Sequence, residues 1–166
     1  MARLAFYTFG ILRAPVDDPQ VQEFVDRAQG VFDAAASLPG FITMGGDQGS
    51  DGRPRFYDPA VHPFAPHTLS VWTDLASVYP FVYRGLHGEA LRLRREWFVK
   101  AEWPTYAAWW IGDDEEPAWE DAFRRLEHLH DHGPTPYAFT FKVLFDAEGT
   151  PAQPPAHAVP RAPQAI

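Results

Sequence analysis

Cysteine is absent from the 166 residues, which removes disulfides, thiolate nucleophiles, Cys-ligated zinc and iron–sulfur clusters from the functions open to the chain. Long apolar runs are absent too. The opening MARLAFYTFG is too short for the apolar part of a secretory signal, and no stretch approaches the roughly 18 apolar residues of a membrane span. The expectation is a cytoplasmic protein with no membrane partner. Positive charge is scarce: the net charge of −8 and isoelectric point near 5.2 oppose nucleic-acid binding, which needs clustered Lys and Arg for phosphate contacts. What the chain has in excess is aromatic. Phe, Trp and Tyr make up 15%, with six tryptophans and thirteen phenylalanines. That is more than a small core needs, and such a surplus lines an apolar pocket or an interface between copies as readily as it fills a core.

The length suits one domain and a tail. RLAFYTFGI predicts a buried strand over 3–10. In QVQEFVDRAQGVFDAAASLPG the residues Val21, Phe24, Val25, Ala28, Val31, Phe32 and Ala35 recur at helical spacing, with PG as the stop. FITMGG is a second short strand. A long Gly- and Pro-containing connection follows, of a length that is uncommon unless it does something such as covering a pocket. HTLSVWTD is the third strand. From Asp74 a helical stretch begins, is disturbed at Pro80 and resumes to about Lys100. PTYAAWWIG is the fourth strand, EPAWEDAFRRLEHLHDHG a third helix, and YAFTFKVLF an alternating fifth strand. From residue 147 the Pro- and Ala-rich remainder predicts a disordered tail, leaving 1–146 as the domain. This order predicts an antiparallel α+β architecture with helices on one sheet face and an added C-terminal helix and strand. The other face, left partly apolar, would invite a second copy of the chain.

LSVWTDLASVYPFVYRGLHGEALRLRREWF, followed by AAWW and RLEHLHDHGPTPYAFTF, resembles a bacterial family of domains of unknown function that is itself similar to the dimeric α+β barrel superfamily. The likeness runs from Leu4 to Phe145. It implies a ferredoxin-like protomer in a homodimer, with each site between a protomer's own sheet and its helices. Relatives in that superfamily include antibiotic-biosynthesis monooxygenases, polyketide cyclases and small haem-degrading oxygenases. In the cyclase branch a tyrosine and a histidine after the third strand transfer protons, and Tyr83 and His87 resemble that pair. In the haem-degrading branch a tryptophan on the third strand and a histidine on the next helix grip the porphyrin, which Trp72 and His87 resemble.

An imidazole accepts protons near neutral pH, and a phenol beside it orients it or stabilises an enolate. A spacing of four puts Tyr83 and His87 on one face of a continuous helix. His87 therefore stands as a catalytic base, as a ligand of haem, or as a residue that satisfies backbone in the break around Gly85 and Gly88. Arg84, Arg92, Arg94 and Arg95 are candidates to hold a carboxylate or phosphate. Pairing of these arginines with Glu89 and Glu96 is the commoner fate and predicts a salt-bridged helix face. Trp72, Trp97, Phe98, Trp109 and Trp110 read as core or cavity wall, with Trp109 and Trp110 pointing to opposite sheet faces. His67 opens the third strand and is within reach of a pocket. His128 and His132 have the i, i+4 spacing of a metal pair, yet no acidic third ligand is evident, so no metal is expected. The functional expectation is a cofactor-independent cyclase or monooxygenase acting on an apolar or aromatic substrate. The alternative is a dimer that holds a hydrophobic ligand or haem without turnover.

Overall fold

Strand β1 (Arg3–Phe9) is the centre of the molecule because both of its edges are paired. It runs antiparallel to β3 (His67–Trp72) on one side and to β4 (Tyr106–Ile111) on the other, and β2 (Phe41–Gly46) extends the sheet beyond β3. The order β2-β3-β1-β4, with helices between β1 and β2 and between β3 and β4, is the ferredoxin-like arrangement that the succession of elements predicts. The computed structural model describes residues 1–46, 54–62 and 65–156, and of residues 46, 85–87 and 91 the backbone alone.

Alternation along β1 sends Leu4 and Phe6 to one face and Ala5, Tyr7 and Phe9 to the other. The first face is covered by α1 (Gln22–Ala36) and α2 (Leu75–Tyr83), through Ala35, Val78, Tyr79, Phe81 and Val82. Helix α3 (Gly85–Trp97) lies against α1, where Trp97 and Leu93 meet Val21 and Phe24. The second face is where the structure departs from expectation. Helix α4 (Trp119–His132), the added element, lays Ala122, Phe123, Leu126 and Leu129 over it. The face left bare for a second copy by sequence reasoning is thus covered from within the chain, and the helices are not confined to one face. Trp109, expected to point at a dimer partner or at the helices, is completely buried beneath α4.

Three other expectations are corrected. The long second helix is broken at Arg84, whose backbone is extended (φ −128°, ψ 166°), whereas Pro80 sits inside α2. Pro80 removes one N–H but leaves its own carbonyl to accept from Arg84 N–H at 3.0 Å, so the helix survives the proline and ends a turn later. Gly88 allows the chain to restart so closely, since a Cβ there would stand 2.8 Å from the Tyr83 carbonyl oxygen. The fifth strand does not run unbroken: it meets the main sheet through one reciprocal bridge, Ala108 with Phe139 at 2.9 Å both ways, then turns over Thr140–Val143 and is extended again only at Leu144–Phe145. Finally, residues 147–152, expected in the tail, turn back so that β6 (Pro151–Ala152) pairs with β5 (Leu144–Phe145). Of the remaining tail, residues 157–166 lie outside the described residues. Among the described residues no helix is long and apolar enough to cross a membrane.

Candidate functional site

A groove of about 2460 Å³ opens at the end of the sheet where β1 finishes and β3 and β4 begin. Enclosed ligand pockets hold roughly 300–1,000 Å³, so this is an open trough. The described part of the long connection, residues 54–62 and 65–66, lines it, as a covering loop would. Arg55 ties this loop to α4 through Asp131 at 2.7 Å, and the Arg55 backbone N–H donates to Glu127 at 2.7 Å. Arg55, and then His130, hold the Asp131 carboxyl well below the usual carboxylate range.

The imidazole of His67 sits at the head of the groove. It is 4% exposed, and it is held between two phenols: Nδ1 is 2.6 Å from the Tyr7 hydroxyl and Nε2 is 3.0 Å from the Tyr57 hydroxyl. Phe9, Phe56, Trp119 and Phe123 surround these rings. A buried polar group of this kind needs partners at both ends, and each phenol can donate or accept according to the tautomer. Tyr7 is fully buried, while Tyr57 and His67 line the groove. The three side chains form a hydrogen-bonded line from the core to the trough.

A second group of phenols lies on the α1/α2 side of the same end. The backbone of Phe141 holds two of them: Tyr79 donates to its carbonyl at 3.0 Å, and its N–H donates to the Tyr106 oxygen at 3.3 Å. Tyr83 packs on Tyr79 and Phe141 at the edge, 47% exposed. Burial, and then Tyr83 and Tyr106, push the Tyr79 phenol up to about 12. Burial, and then Tyr83, raise Tyr106, against the opposing pull of Phe141 N–H, Thr140 and Arg94. Below about pH 10 Tyr79 is neutral in both folded and unfolded chains. Between about pH 10 and 12 only the unfolded chain loses the proton, so stability falls by about 2 kcal/mol as pH rises through that window. Urea unfolding at about pH 9.5 and 11.5 should show a smaller fall for Tyr79→Phe than for the parent. An equal fall would refute the assignment.

The sequence-derived candidates divide. His67, Tyr83, Trp97 and Phe98 line the groove. Trp72 does not: it is fully buried, its indole N–H donates to Ser70 Oγ at 2.9 Å, and its ring packs on Phe41 and Phe81. Trp109 is under α4, and Trp110 packs on the α2 side with its indole N–H on the Phe145 carbonyl at 2.8 Å. These three are core residues rather than substrate contacts. Arg84 stands at the helix break, outside the groove lining. The side chain of His87 lies outside the described residues, and the break at Arg84 removes the continuous helix on which its spacing from Tyr83 depended. Glu89 is bound by Arg27 of α1 at 3.3 Å, and Arg92, Arg94 and Arg95, expected to pair along α3, stand in no ion pair among the described residues. His128 bonds Thr135 at 3.0 Å and His130 stacks on Trp103 at 3.7 Å. Among the described residues no three ligands gather for a metal.

Sequence reasoning missed Tyr7, Tyr57 and Tyr106. A signal existed for Tyr7: a lone phenol in the apolar strand RLAFYTFGI must find a partner when buried.

No functionally curated protein matches the chain. Among solved structures, it is similar to a protein of unknown function from Nitrosomonas europaea, with 12% identity and a TM-score of 0.49 over 71% of this chain and 97% of the other. It is also similar to SnoaB, a cofactor-independent oxygenase from Streptomyces nogalater, with 13% identity and a TM-score of 0.43 over 70% of this chain and 97% of the other. A family model accounts for far more of the molecule, running from the first residue of β1 through α4 and past β6. It matches residues 3–155, and the chain accordingly belongs to the family described as Domain of unknown function (DUF3291).

Proposed function

We propose that the protein is a small-molecule enzyme of specialised metabolism that removes a proton from an apolar or aromatic, enolisable substrate bound in the groove, without a cofactor. The observation that carries this reading is the Tyr7–His67–Tyr57 line, which ends at the trough. With the His67 proton on Nδ1 and directed at Tyr7, Nε2 accepts from Tyr57. A carbon-bound proton of the substrate then passes to the Tyr57 oxygen as the Tyr57 proton passes to Nε2, and the electron pair left behind forms the enolate. In a cyclisation the enolate carbon attacks a carbonyl of the same molecule, and the proton returns along the line to the new alkoxide. With molecular oxygen as second substrate the same enolate is the species that is oxygenated. His87 and Tyr83 remain the competing assignment for the acid–base pair.

Exchange of the methylene protons of an anthrone, an aromatic ketone that enolises readily, can be followed in deuterated water by NMR. The parent protein should accelerate exchange about 100-fold or more, and His67→Gln and Tyr57→Phe should each lose most of that acceleration. Binding of the anthrone without exchange would leave a ligand-holding protein in place of an enzyme. A loss in His87→Gln with His67→Gln unaffected would move the base to α3.

A further inference from the structure

The distribution of charge around the groove runs against that of the molecule. Of the twelve lysines and arginines among the described residues, eight line the groove; of the twenty aspartates and glutamates, only Asp58 and Glu102 do, although the whole chain carries −8. Three of the eight are already engaged. Arg27 is held by Glu23 at 2.8 Å and by Glu89 at 3.3 Å, Arg55 by Asp131, and Arg13 by the carbonyls of Arg95 and Phe98. The remaining five, Arg92, Arg94, Arg95, Lys100 and Lys142, stand in no ion pair among the described residues. Arg94 and Arg95 occupy the last turn of α3, where a cation is favoured by the helix dipole. That explanation does not reach Arg92, Lys100 or Lys142.

Aromatic surface adjoins these cations. Phe6, Tyr106 and Phe141 pack on one another with ring centroids 5.1–5.9 Å apart and all three line the groove, Tyr106 as the part-exposed ring with the buried Phe6 and Phe141 behind it. Arg94 lines the same groove as Tyr106 and pulls against the rise of its phenol, and Lys142 follows Phe141 directly in the chain. Like charges collected around a concave, partly apolar surface raise the local concentration of anions, and guanidinium groups bind carboxylate and phosphate oxygens bidentately.

We infer that the ligand of this groove is an aromatic anion, whose rings lie against Tyr106, backed by Phe6 and Phe141, and whose carboxylate or phosphate is held by Arg94 and its basic neighbours. This rests on the reading of the groove as the binding site and adds the chemical class of what binds there. It makes no use of the proton-transfer line, so the two can fail separately.

Two fluorescent probes that share a ring system test it: anilinonaphthalene sulfonate, which is an anion, and N-phenyl-1-naphthylamine, which is neutral. The parent protein should bind both and prefer the anion by about tenfold, the weight of one charge-assisted hydrogen bond. That preference should shrink as sodium chloride is raised from about 0.05 to 0.5 M. The double variant Arg94→Gln, Arg95→Gln should lose the preference while keeping its affinity for the neutral probe. Arg124→Gln, on the exposed side of α4 away from the groove, should change neither. Equal binding of the two probes by the parent overturns the inference and leaves the groove as a site for neutral ligands. A preference that survives the double variant overturns it as well, and so does a failure of the parent to bind either probe. Competition by free benzoate and by phenyl phosphate against the anionic probe then tells carboxylate from phosphate.

Discussion

Trp109→Ala should lower the stability of the protein by about 3–5 kcal/mol, the range for deleting a large aromatic side chain from a packed core. The ring is completely buried between β4 and α4, in a cluster with Ala107, Ala122, Phe123 and Leu126, and the Arg125 guanidinium lies 5.0 Å from its centroid. None of these neighbours can close over a hole of that size, since the sheet fixes one wall and the helix the other. Trp109→Phe should be far milder, costing about 1 kcal/mol. The indole Nε1 is buried with no hydrogen-bond partner among the described residues, so the phenyl ring gives up volume and cation–π contact without orphaning an acceptor. Urea unfolding of the three proteins with a common slope measures both differences. If the alanine variant cost less than about 1 kcal/mol, the second sheet face would not be a core, and the placement of α4 would be wrong.

Gly40→Ala should cost about 2–4 kcal/mol although it adds one methyl group. Gly40 has φ +81°, where an L side chain crowds its own backbone, and this alone costs about 1–2 kcal/mol. An added Cβ would also stand 2.1 Å from Ser77 Oγ and 2.5 Å from Thr73 Oγ1. Ser77 cannot step aside without loss. Its Oγ bonds Asp74 Oδ1 at 2.8 Å, and its N–H donates to the same oxygen at 2.8 Å as the N-terminal cap of α2, a bond worth about 1 kcal/mol. The Gly40 carbonyl in turn accepts from Thr73 N–H at 2.8 Å, so the turn into β2 and the start of α2 are one unit. Far-UV circular dichroism during urea unfolding should show a lower midpoint for Gly40→Ala, and a companion Gly45→Ala, where nothing among the described residues lies within 4 Å of the added atom, should be nearly silent. Equal effects at the two sites would remove the steric argument.

Periodicity made the order of elements legible. Apolar residues at helical spacing from Val21 to Ala35 and the alternation in RLAFYTF are local signals, and local signals survive into the fold. The halves of the second helix were also readable, and Gly85 and Gly88 marked the neighbourhood of the break, which falls at Arg84. Pro80 is the conspicuous residue, yet the helix runs through it, and the close passage of Gly88 over the Tyr83 carbonyl that lets the chain restart at once is a contact invisible in composition. The face chosen by α4 was illegible for a similar reason: an amphipathic helix shows which of its sides is buried and says nothing about which sheet face receives it. Of the site, His67 was singled out from its place at the start of β3. Its partners come from Tyr7, which lies one diagonal step away across the β1–β3 pairing, and from Tyr57 in an irregular loop. Such a meeting depends on strand register and loop path, which no spacing in the sequence encodes. Arg92, Arg94 and Arg95 were readable as cations, but not as cations with no ion pair among the described residues, because the fate of Glu89 was settled by Arg27 on another helix.

The connection between β4 and α4 spans only residues 112–118. A tether that short keeps the helix at an effective concentration on the millimolar scale or above relative to its sheet face. The shielding of that face is therefore a first-order process that dilution cannot reverse, and the His67 line, which Trp119 and Phe123 of α4 help to enclose, stays assembled however dilute the protein is.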